Sequence, residues 1–400
     1  MNLQADRLQR IKPSMTVAIN VKANALRAQG KDVLVLAAGE PDFDTPVNII
    51  NAAKSAMDAG KTRYVPGKGT PDLQKAIIDK FERENNLKYS PEEIMVGVGG
   101  KHIIYNALMA TLNPKDEVII PTPYWVSYPD IVMLAEGKPV FVECDVSQNF
   151  KITADQLEKY ITNKTKWLML NSPSNPTGAL YSYDELKSLS EVLLKHPNVL
   201  ILTDDIYEKI IYDGNKFNTI ASVEPQLKER VLTLNGVSKA YCMTGWRLGY
   251  CGGPKEIISG MNKIQSQSTT STSSITMAAS VEALNGKQDF IEKHNIEFIK
   301  RRDLVVDKIN KIEGLSCNVP AGAFYVYPNC SGLIGKKTPQ NNVIKNDEEL
   351  MKYLLESEGV AGVHGEAFGL SPYFRLSYAT NEKILIEACN RIERACKKLS

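Results

Sequence analysis

Between Glu93 and Gly253, short apolar runs alternate with segments in which apolar residues recur at helical spacing. Strands that alternate with helices predict an α/β fold with a mostly parallel, doubly wound sheet. The helix candidate KHIIYNALMATL ends at Asn113-Pro114, which is a strong stop signal. The strand candidates, in chain order, are EIMVGVG, DEVIIP, PVFVEC, KWLML, NVLIL, RVLTL and RLGYCGG.

Two of the helix candidates begin with a capping box, in which a hydroxyl residue is followed three positions later by Glu or Gln. Thr153 pairs with Gln156 in this way, and Ser182 pairs with Glu185. We therefore expect helices to begin directly after Thr153 and Ser182.

The last hundred residues predict a second, smaller α/β domain. Residues 300–400 combine helical periodicity with the short strand candidates GAFYVYP and YFRLSYA. We expect the N-terminal arm to join this domain. The predicted division is an arm with part of the small domain at 1–47, a large domain at 48–295 and a small C-terminal domain at 296–400.

Composition excludes several classes of protein. The net charge is only +2 and the charges are well mixed, which disfavours nucleic-acid and membrane-surface partners. The apolar runs are too short to cross a membrane. Seven scattered cysteines without a C-x-x-C pair and four isolated histidines argue against a metal site or a disulfide framework. The N-terminal segment lacks a secretory pattern, so we expect a cytoplasmic protein.

Polar residues follow most of the strand candidates, at the point where each strand ends. In an open parallel sheet, ligands bind beyond these carboxyl ends, so the residues should meet in one crevice. They are Gly99-Gly100-Lys101, Pro123-Tyr124-Trp125, the segment NSPSNPTG, Asp204-Asp205-Ile206-Tyr207 and Ser238-Lys239.

This set of residues suits pyridoxal phosphate, a cofactor with an aldehyde, a pyridine ring and a phosphate. Lys239 supplies an amine for a Schiff base, and Asp204 supplies an acid for the pyridine nitrogen. Tyr207 and Asn175 can donate to the ring oxygen, and Trp125 offers a face for stacking on the ring.

The phosphate also has candidate partners. Gly99, Gly100 and Lys101 open a helix, whose free N–H groups favour an anion. Ser238 and Arg247 can add a hydroxyl and a charged fork.

Each of these residues also has an ordinary structural interpretation. A loop lysine is commonly solvated, Asp204-Asp205 could cap a helix, and Trp125 could belong to the core. The GVGGK segment could be a turn; it matches neither the Walker pattern nor G-x-G-x-x-G, which disfavours a nicotinamide-linked dehydrogenase. Arg375 could form a structural ion pair, and NSPSNPTG could be a plain loop.

Taken together, these blocks resemble the class I aminotransferases that use pyridoxal phosphate, and among them the bacterial aspartate aminotransferases. The resemblance covers nearly the whole chain. Its blocks are AAGEPDFDTP (37–46), KTRYVPGKGTPDL (61–73), VGGKHIIYNAL (98–108), PTPYWVSYP (121–129), NSPSNPTGA (171–179), DDIYE (204–208), SKAYCMTGWRLGY (238–250), QSQSTTS (265–271), GAFYVYP (322–328) and FRLSYAT (374–380).

The resemblance implies roles beyond those above. Lys239 would be the Schiff-base lysine and proton shuttle, and Arg375 would hold the substrate α-carboxylate with help from the Gly39 backbone, Asn175 and Trp125. Tyr64 would reach the cofactor phosphate of a neighbouring subunit, which implies a homodimer with shared active sites.

The chain departs from the family's pattern at three places. Asp205 stands where an acidic Glu is common, and His364 stands where proline is common, so we expect His364 to be a loop residue near the cleft. The segment KIQSQSTTS lacks the arginine that binds a second carboxylate in animal relatives. The resemblance assigns that carboxylate to Lys101, together with hydroxyls or amides of this segment, and to Lys12, although Lys12 could equally be solvated.

The implied reaction transfers an amino group from L-aspartate to 2-oxoglutarate, in a ping-pong cycle that gives oxaloacetate and L-glutamate. The same branch includes enzymes that aminate prephenate to arogenate. The alternative is another pyridoxal-phosphate enzyme of this fold, such as a different aminotransferase or a lyase. A regulator with an aminotransferase-like domain would need a longer N-terminal DNA-binding module.

Overall fold

The computed structural model describes residues 3–13 and 15–400. Its α-helices are α1 (Met15–Ala28), α2 (Val47–Asp58), α3 (Pro71–Asn85), α4 (Gly100–Thr111), α5 (Tyr128–Leu134), α6 (Ala154–Tyr160), α7 (Tyr183–Lys195), α8 (Ile220–Val223), α9 (Lys255–Ser266), α10 (Ser274–Asn285), α11 (Asp289–Asn310), α12 (Asp347–Glu358) and α13 (Glu382–Lys397). Short 3-10 turns lie at Asp6–Arg10, Pro91–Glu93, Val146–Gln148, Pro225–Arg230, Thr244–Trp246, Ser331–Leu333 and Gly365–Phe368.

The strands follow the predicted pattern closely. They are β1 (Leu34–Val35), β2 (Ile94–Gly97), β3 (Glu117–Thr122), β4 (Lys138–Glu143), β5 (Thr165–Asn171), β6 (Leu200–Asp204), β7 (Val231–Gly236), β8 (Gly249–Gly252), β9 (Tyr325–Val326), β10 (Val360–Ala361), β11 (Val363–His364) and β12 (Phe374–Ser377).

Among the described residues, seven strands form the main sheet in the order β2-β8-β7-β6-β5-β3-β4. Strands β7, β6, β5, β3 and β4 are parallel, whereas β8 runs antiparallel to both of its neighbours, β7 and β2. The predicted α/β fold with a mostly parallel sheet is confirmed. The direction of β8 was not part of that prediction.

Both faces of the main sheet are buried, as the doubly wound prediction requires. Successive residues of β5 show this, because Trp167 and Met169 pack into one apolar cluster while Leu168 and Leu170 pack into another. Side chains alternate across a strand, so a sheet with helices on both faces needs apolar residues at every position.

The capping boxes and the predicted start of α4 are also present. Thr153 and Ser182 each accept a hydrogen bond from the backbone N–H three residues later, and the side chains of Gln156 and Glu185 accept one from the backbone N–H of the capping residue. Helix α4 begins at Gly100, directly after β2. Local sequence signals therefore set these helix starts.

The remaining strands join the two ends of the chain. Strands β11, β12 and β9 form an antiparallel sheet, and β1 pairs in parallel with β10. In this pairing Leu34 lies opposite Val360, so the first forty residues are tied to the last fifty. In the part of the chain that is described, no helix is long and apolar enough to span a membrane.

Candidate active site

A cavity of about 260 Å³ opens at the carboxyl ends of the parallel strands. This is where ligands bind in open α/β sheets. Eleven of the predicted site residues line it: Gly39, Gly100, Lys101, Trp125, Asn175, Asp204, Tyr207, Ser238, Lys239, Arg247 and Arg375. The structure thus brings together residues separated by more than 300 positions in the sequence.

Lys239 lies in the loop after β7, and its side chain is only partly exposed. Its Nζ donates a 2.6 Å hydrogen bond to the carbonyl oxygen of Gly39 and lies 5.8 Å from the ring centroid of Tyr207. Burial, helped by the positive charge of Arg375, lowers the pKa of Lys239 to about 8. This amine is therefore much more often uncharged near neutral pH than an ordinary lysine, as a nucleophile or a general base requires.

Asp204 is the last residue of β6 and is almost completely buried. Its Oδ2 accepts a 2.6 Å hydrogen bond from the hydroxyl of Tyr128. Burial raises the pKa of Asp204 to about 6, and the bond from Tyr128 opposes that rise. Asp204 is thus mostly a carboxylate at neutral pH, suited to hold a positively charged ring nitrogen.

The alternative that Asp204-Asp205 caps a helix is wrong, because residues 206–209 form a turn. Asp205 does not line the cavity. It accepts a 2.5 Å hydrogen bond from the hydroxyl of Thr203, and burial raises the pKa of Asp205 to about 8. The two neighbouring acids therefore have separate surroundings, and only Asp204 is available to a ligand in the cavity.

The start of α4 forms a cradle for an anion. Gly99 precedes the helix with φ of 84°, and its backbone passes so close to Arg247 that an added Cβ would lie 2.5 Å from Nη2. A Cβ on Gly249 would lie 2.4 Å from the backbone nitrogen of Gly100. Glycine is required at both positions, since any side chain would displace the helix start or the guanidinium.

The cradle has several free donors. The first N–H groups of α4 have no acceptor inside the helix. Arg247 uses its guanidinium to hold the carbonyl oxygens of Thr244 at 2.7 Å and Val98 at 3.4 Å, and the hydroxyl of Ser238 faces the same cavity. These groups, with the helix dipole, can bind a phosphate.

Arg375 lies on β12 and is 2% exposed. It donates hydrogen bonds of 2.7 Å to Oδ1 of Asn175 and to the carbonyl oxygen of Ala37, and it stacks 4.5 Å from the ring centroid of Tyr325. Its Nε is buried and finds no acceptor in the part of the chain that the structure describes.

The structural ion pair considered for Arg375 is absent: within residues 3–13 and 15–400, no carboxylate pairs with its guanidinium. A buried cation without a counter-ion costs several kcal/mol. Its position in the cavity wall indicates that the missing partner is an anionic ligand, and a planar fork suits a carboxylate.

The aromatic residues complete the cavity. Trp125 packs edge-on against Tyr128, with ring centroids 5.4 Å apart, and the ammonium of Lys101 lies 4.9 Å from the indole centroid. The hydroxyl of Tyr207 bonds that of Tyr325 at 2.8 Å. Trp125 is therefore a wall of the cavity rather than a core residue alone.

Charge in the cavity is strongly unbalanced. Four cationic side chains line it, but Asp204 is the one acidic side chain among the lining residues. The cations are Lys101, Lys239, Arg247 and Arg375. Such a wall attracts ligands that carry more than one negative charge.

Three predicted site residues are not among those that line this cavity: Gly99, directly before α4, and Tyr64 and Lys12. Tyr64 is 95% exposed and borders a separate surface depression. Lys12 lies in the arm, where its backbone nitrogen is 3.5 Å from Oδ1 of Asp130. The roles of Tyr64 and Lys12 remain predictions, since a partner subunit is needed for Tyr64. His364 is not a loop residue, because it is buried on β11.

Several lining residues had no assigned role in the sequence analysis. Tyr325 lies in the recognised block GAFYVYP, but nothing local indicates what its hydroxyl contacts. The same holds for Tyr128 of PTPYWVSYP, which does not line the cavity but bonds Asp204. The other lining residues without an assigned role are Asn20, Ala37, Ile104, Asn171, Ile206 and Leu234. Asn20 has no signal in the sequence, because no local pattern indicates which residue of helix α1 faces the cavity.

Comparison with known proteins agrees with this geometry. The family model for aminotransferase class I and II matches residues 31–392. A probable aspartate/prephenate aminotransferase of Rhizobium leguminosarum bv. phaseoli is 58% identical over 396 residues, which is 99% of each chain. The chain therefore belongs to the class I and II aminotransferases, and the predicted family is confirmed.

Solved structures give the same fold. The aspartate aminotransferase from Rhizobium meliloti matches with a TM-score of 0.98 and 54% identity, over 100% of both chains. The aspartate aminotransferase from Thermus thermophilus, solved with maleate, matches with a TM-score of 0.92 and 41% identity, over 99% of this chain and 100% of that one. The predicted architecture is that of aspartate aminotransferases.

Proposed function

We propose that this protein transfers the amino group of L-aspartate to 2-oxoglutarate with pyridoxal 5'-phosphate as cofactor, giving oxaloacetate and L-glutamate. The observation that carries the proposal is the pairing, in one cavity, of an amine with a lowered pKa, Lys239, and a buried cation without a counter-ion, Arg375. The first suits covalent and proton chemistry, and the second suits a substrate carboxylate.

The residues present fit the cofactor. When bound, pyridoxal phosphate supplies an aldehyde that bonds to amines and a ring that accepts electrons from the α-carbon. The cradle at Gly99 and Gly100, with Lys101, Ser238 and Arg247, can hold its phosphate. Asp204 can hold the ring nitrogen, and Tyr207 and Asn175 can hold the ring oxygen. Trp125 can stack on the face of the ring. The space that only glycine leaves open at Gly99 and Gly249, beside the start of α4, supports this fit.

Lys239 carries the chemistry of this chain. Its uncharged amine would hold the cofactor aldehyde and, once free, would serve as the base that takes a proton from the substrate α-carbon. Gly39 holds Nζ at 2.6 Å, which orients the amine within the cavity. A second keto acid reverses these steps, so the kinetics are ping-pong.

Arg375 would hold the α-carboxylate, helped by Gly39, Asn175 and Trp125. Lys101 and Lys12 would hold the second carboxylate. The excess of cations in the cavity supports a dicarboxylic substrate. The names of the relatives support aspartate, and the name of the Rhizobium leguminosarum relative also supports amination of prephenate to arogenate.

The assembly is part of the proposal. An exposed Tyr64 and an arm with exposed apolar side chains, Leu3 and Leu8, support a homodimer in which Tyr64 reaches the partner's cofactor phosphate. The proposed domain division, 1–47 with 296–400 against 48–295, is supported by the β1–β10 pairing. We also propose that the protein acts in the cytoplasm on small amino and keto acids.

The test is the absorption spectrum of the purified protein with pyridoxal phosphate. We expect a visible band that bleaches with aspartate alone and returns with 2-oxoglutarate. Lys239→Ala should abolish turnover, whereas Lys115→Ala, at an exposed position, should leave it unchanged. A lyase would release product continuously without a keto acid, and that result would overturn the proposal.

A further inference from the structure

The side chain of Asn20 faces the cavity from helix α1, and no role has been given to it. Its amide is partly buried, and within the described residues 3–13 and 15–400 no hydrogen bond uses it. The position is fixed, because Ile19 packs into two apolar clusters and Ala23 is completely buried. Asn20 therefore presents an unused donor and an unused acceptor to the ligand.

The other polar groups of the cavity are already assigned under the proposed function, on which this inference rests. Arg247 and Ser238 serve the phosphate, Asp204 serves the ring nitrogen, and Arg375 serves the α-carboxylate. Asn171 and Tyr325 also line the cavity, but their side chains already bond Asp204, Asn175 and Tyr207. Besides Lys12 of the arm, Lys101 and Asn20 are then the remaining lining groups for a second carboxylate of the substrate. They belong to opposite parts of the fold, α4 and α1.

We propose that Asn20 is a specificity-determining residue, whose side-chain N–H donates to the second carboxylate of a dicarboxylic substrate beside the Lys101 ammonium. The proposed ping-pong cycle binds two substrates of different length at the same site: aspartate, with four carbons, and 2-oxoglutarate, with five. A neutral amide and a flexible lysine stem can adjust to both lengths by side-chain rotation, whereas a rigid fork would favour one.

The test compares substrates that differ only in the second carboxylate. Aspartate and L-2-aminobutyrate have the same number of carbons, and maleate and butyrate are the corresponding inert ligands. Half-reactions are followed by the visible band, and the inert ligands are titrated by calorimetry in the cofactor-loaded protein. The calorimetric readout does not depend on turnover.

Asn20→Leu removes the amide at similar volume and should weaken aspartate and maleate by about ten- to hundredfold, as expected for a hydrogen bond to a charged group. Asn20→Asp keeps the shape, adds a like charge and should weaken both further. Neither variant should change the half-reaction with L-2-aminobutyrate or the Kd for butyrate by more than about twofold. The matched control is Asn24→Asp, which makes the same change one turn later at an exposed position and should have no effect.

Two outcomes would overturn the inference: equal losses for the dicarboxylic and monocarboxylic ligands, or no loss for either. Retained binding of pyridoxal phosphate in both variants shows that the site is folded. If the wild type does not transaminate aspartate at all, the proposed function fails. The maleate titration then still tests Asn20 as a carboxylate contact.

Discussion

The hydroxyl of Tyr128 donates a 2.6 Å hydrogen bond to Oδ2 of Asp204, and both side chains are buried. This bond lowers the pKa of Asp204, which burial alone would raise further. Tyr128 is therefore a positioning residue, which keeps Asp204 charged and directs it toward the cavity.

For Tyr128→Phe, we expect the pKa of Asp204 to rise and the acidic limb of the kcat/KM profile to move to higher pH. The carboxylate loses one charged hydrogen bond, so kcat/KM at pH 7 should fall about tenfold or more. The measurement is the pH profile of both proteins. A fall in kcat/KM without any movement of the acidic limb would mean that Tyr128 contributes packing alone and does not set the pKa of Asp204. Tyr183→Phe, at an exposed position, is the control.

The lowered pKa of Lys239 predicts how cofactor capture depends on pH. The pKa lies at about 8 in the folded protein, below the ordinary lysine value of 10.5, so about a tenth of the amine is uncharged at pH 7. Since the uncharged amine attacks the aldehyde, the capture rate should rise with pH and level off above about 8. Stopped-flow absorbance measures this rate.

The same shift affects stability with a defined sign. Between about pH 8 and 10.5, the unfolded chain binds more protons at this lysine than the folded one, so the Lys239 contribution favours folding more as pH rises.

Arg375→Met removes one cause of the lowered pKa of Lys239, so the pH profile of cofactor capture in this variant should move to higher pH. A profile that stays in place would contradict the coupling between these two cations.

Arg375→Lys keeps the charge but removes the planar fork. Nη1 and Nη2 hold Asn175 and Ala37, so an ammonium cannot make the same set of contacts. We expect kcat/KM to fall about a hundredfold or more for aspartate and for L-2-aminobutyrate alike, because both carry the α-carboxylate. Steady-state kinetics measure this. A loss confined to aspartate would move the role of Arg375 to the second carboxylate.

Gly249→Ala should weaken cofactor binding. The new Cβ would lie 2.4 Å from the backbone nitrogen of Gly100, so the start of α4 must shift and the cradle with it. We expect the Kd for pyridoxal phosphate to rise at least about tenfold. Gly245→Ala is the matched control, since a Cβ there meets nothing within 4 Å. Equal dissociation constants for the two variants would contradict this account of the cradle.

A buried ion pair supports the strand end that carries Asp204. Lys80 has no exposed surface; its ammonium pairs with Glu208 and donates a 2.7 Å hydrogen bond to Asn85. Glu208→Gln should cost about 3 kcal/mol, because Lys80 loses its nearest counter-ion and keeps only the more distant carboxylate of Glu84, at 3.8 Å. Urea unfolding measures this cost. The double variant Lys80→Met with Glu208→Leu should recover most of it, and a double variant as unstable as the single one would argue against this explanation.

Much of the fold could be predicted because its signals are local. Apolar runs and capping boxes identify β5 and the starts of α6 and α7 from a few neighbouring residues. The direction of β8 is different: it depends on pairing with β2, about 150 residues earlier, and no local pattern encodes a partner at that distance.

The same distinction between local and long-range signals holds for the residues of the site. Asp204 and Lys239 could be located because a parallel sheet gathers its strand ends at one edge. The contacts of Tyr128 and Asn20 could not, because they depend on how α5 and α1 pack against the sheet. Tyr64 and Lys12 remain predictions from resemblance.

The antiparallel position of β8 also has a consequence for synthesis of the chain. Strand β2 lies at the edge of the sheet, and its one neighbour there is β8. A ribosome that adds 5–20 residues per second needs roughly 8–30 s to reach β8 after β2 has emerged. During that interval Gly99 and Gly100 have no guanidinium beside them. We therefore expect nascent chains that have not yet been extended to Gly249 to be unable to retain the cofactor. Cofactor binding is then a late event in the synthesis of the chain.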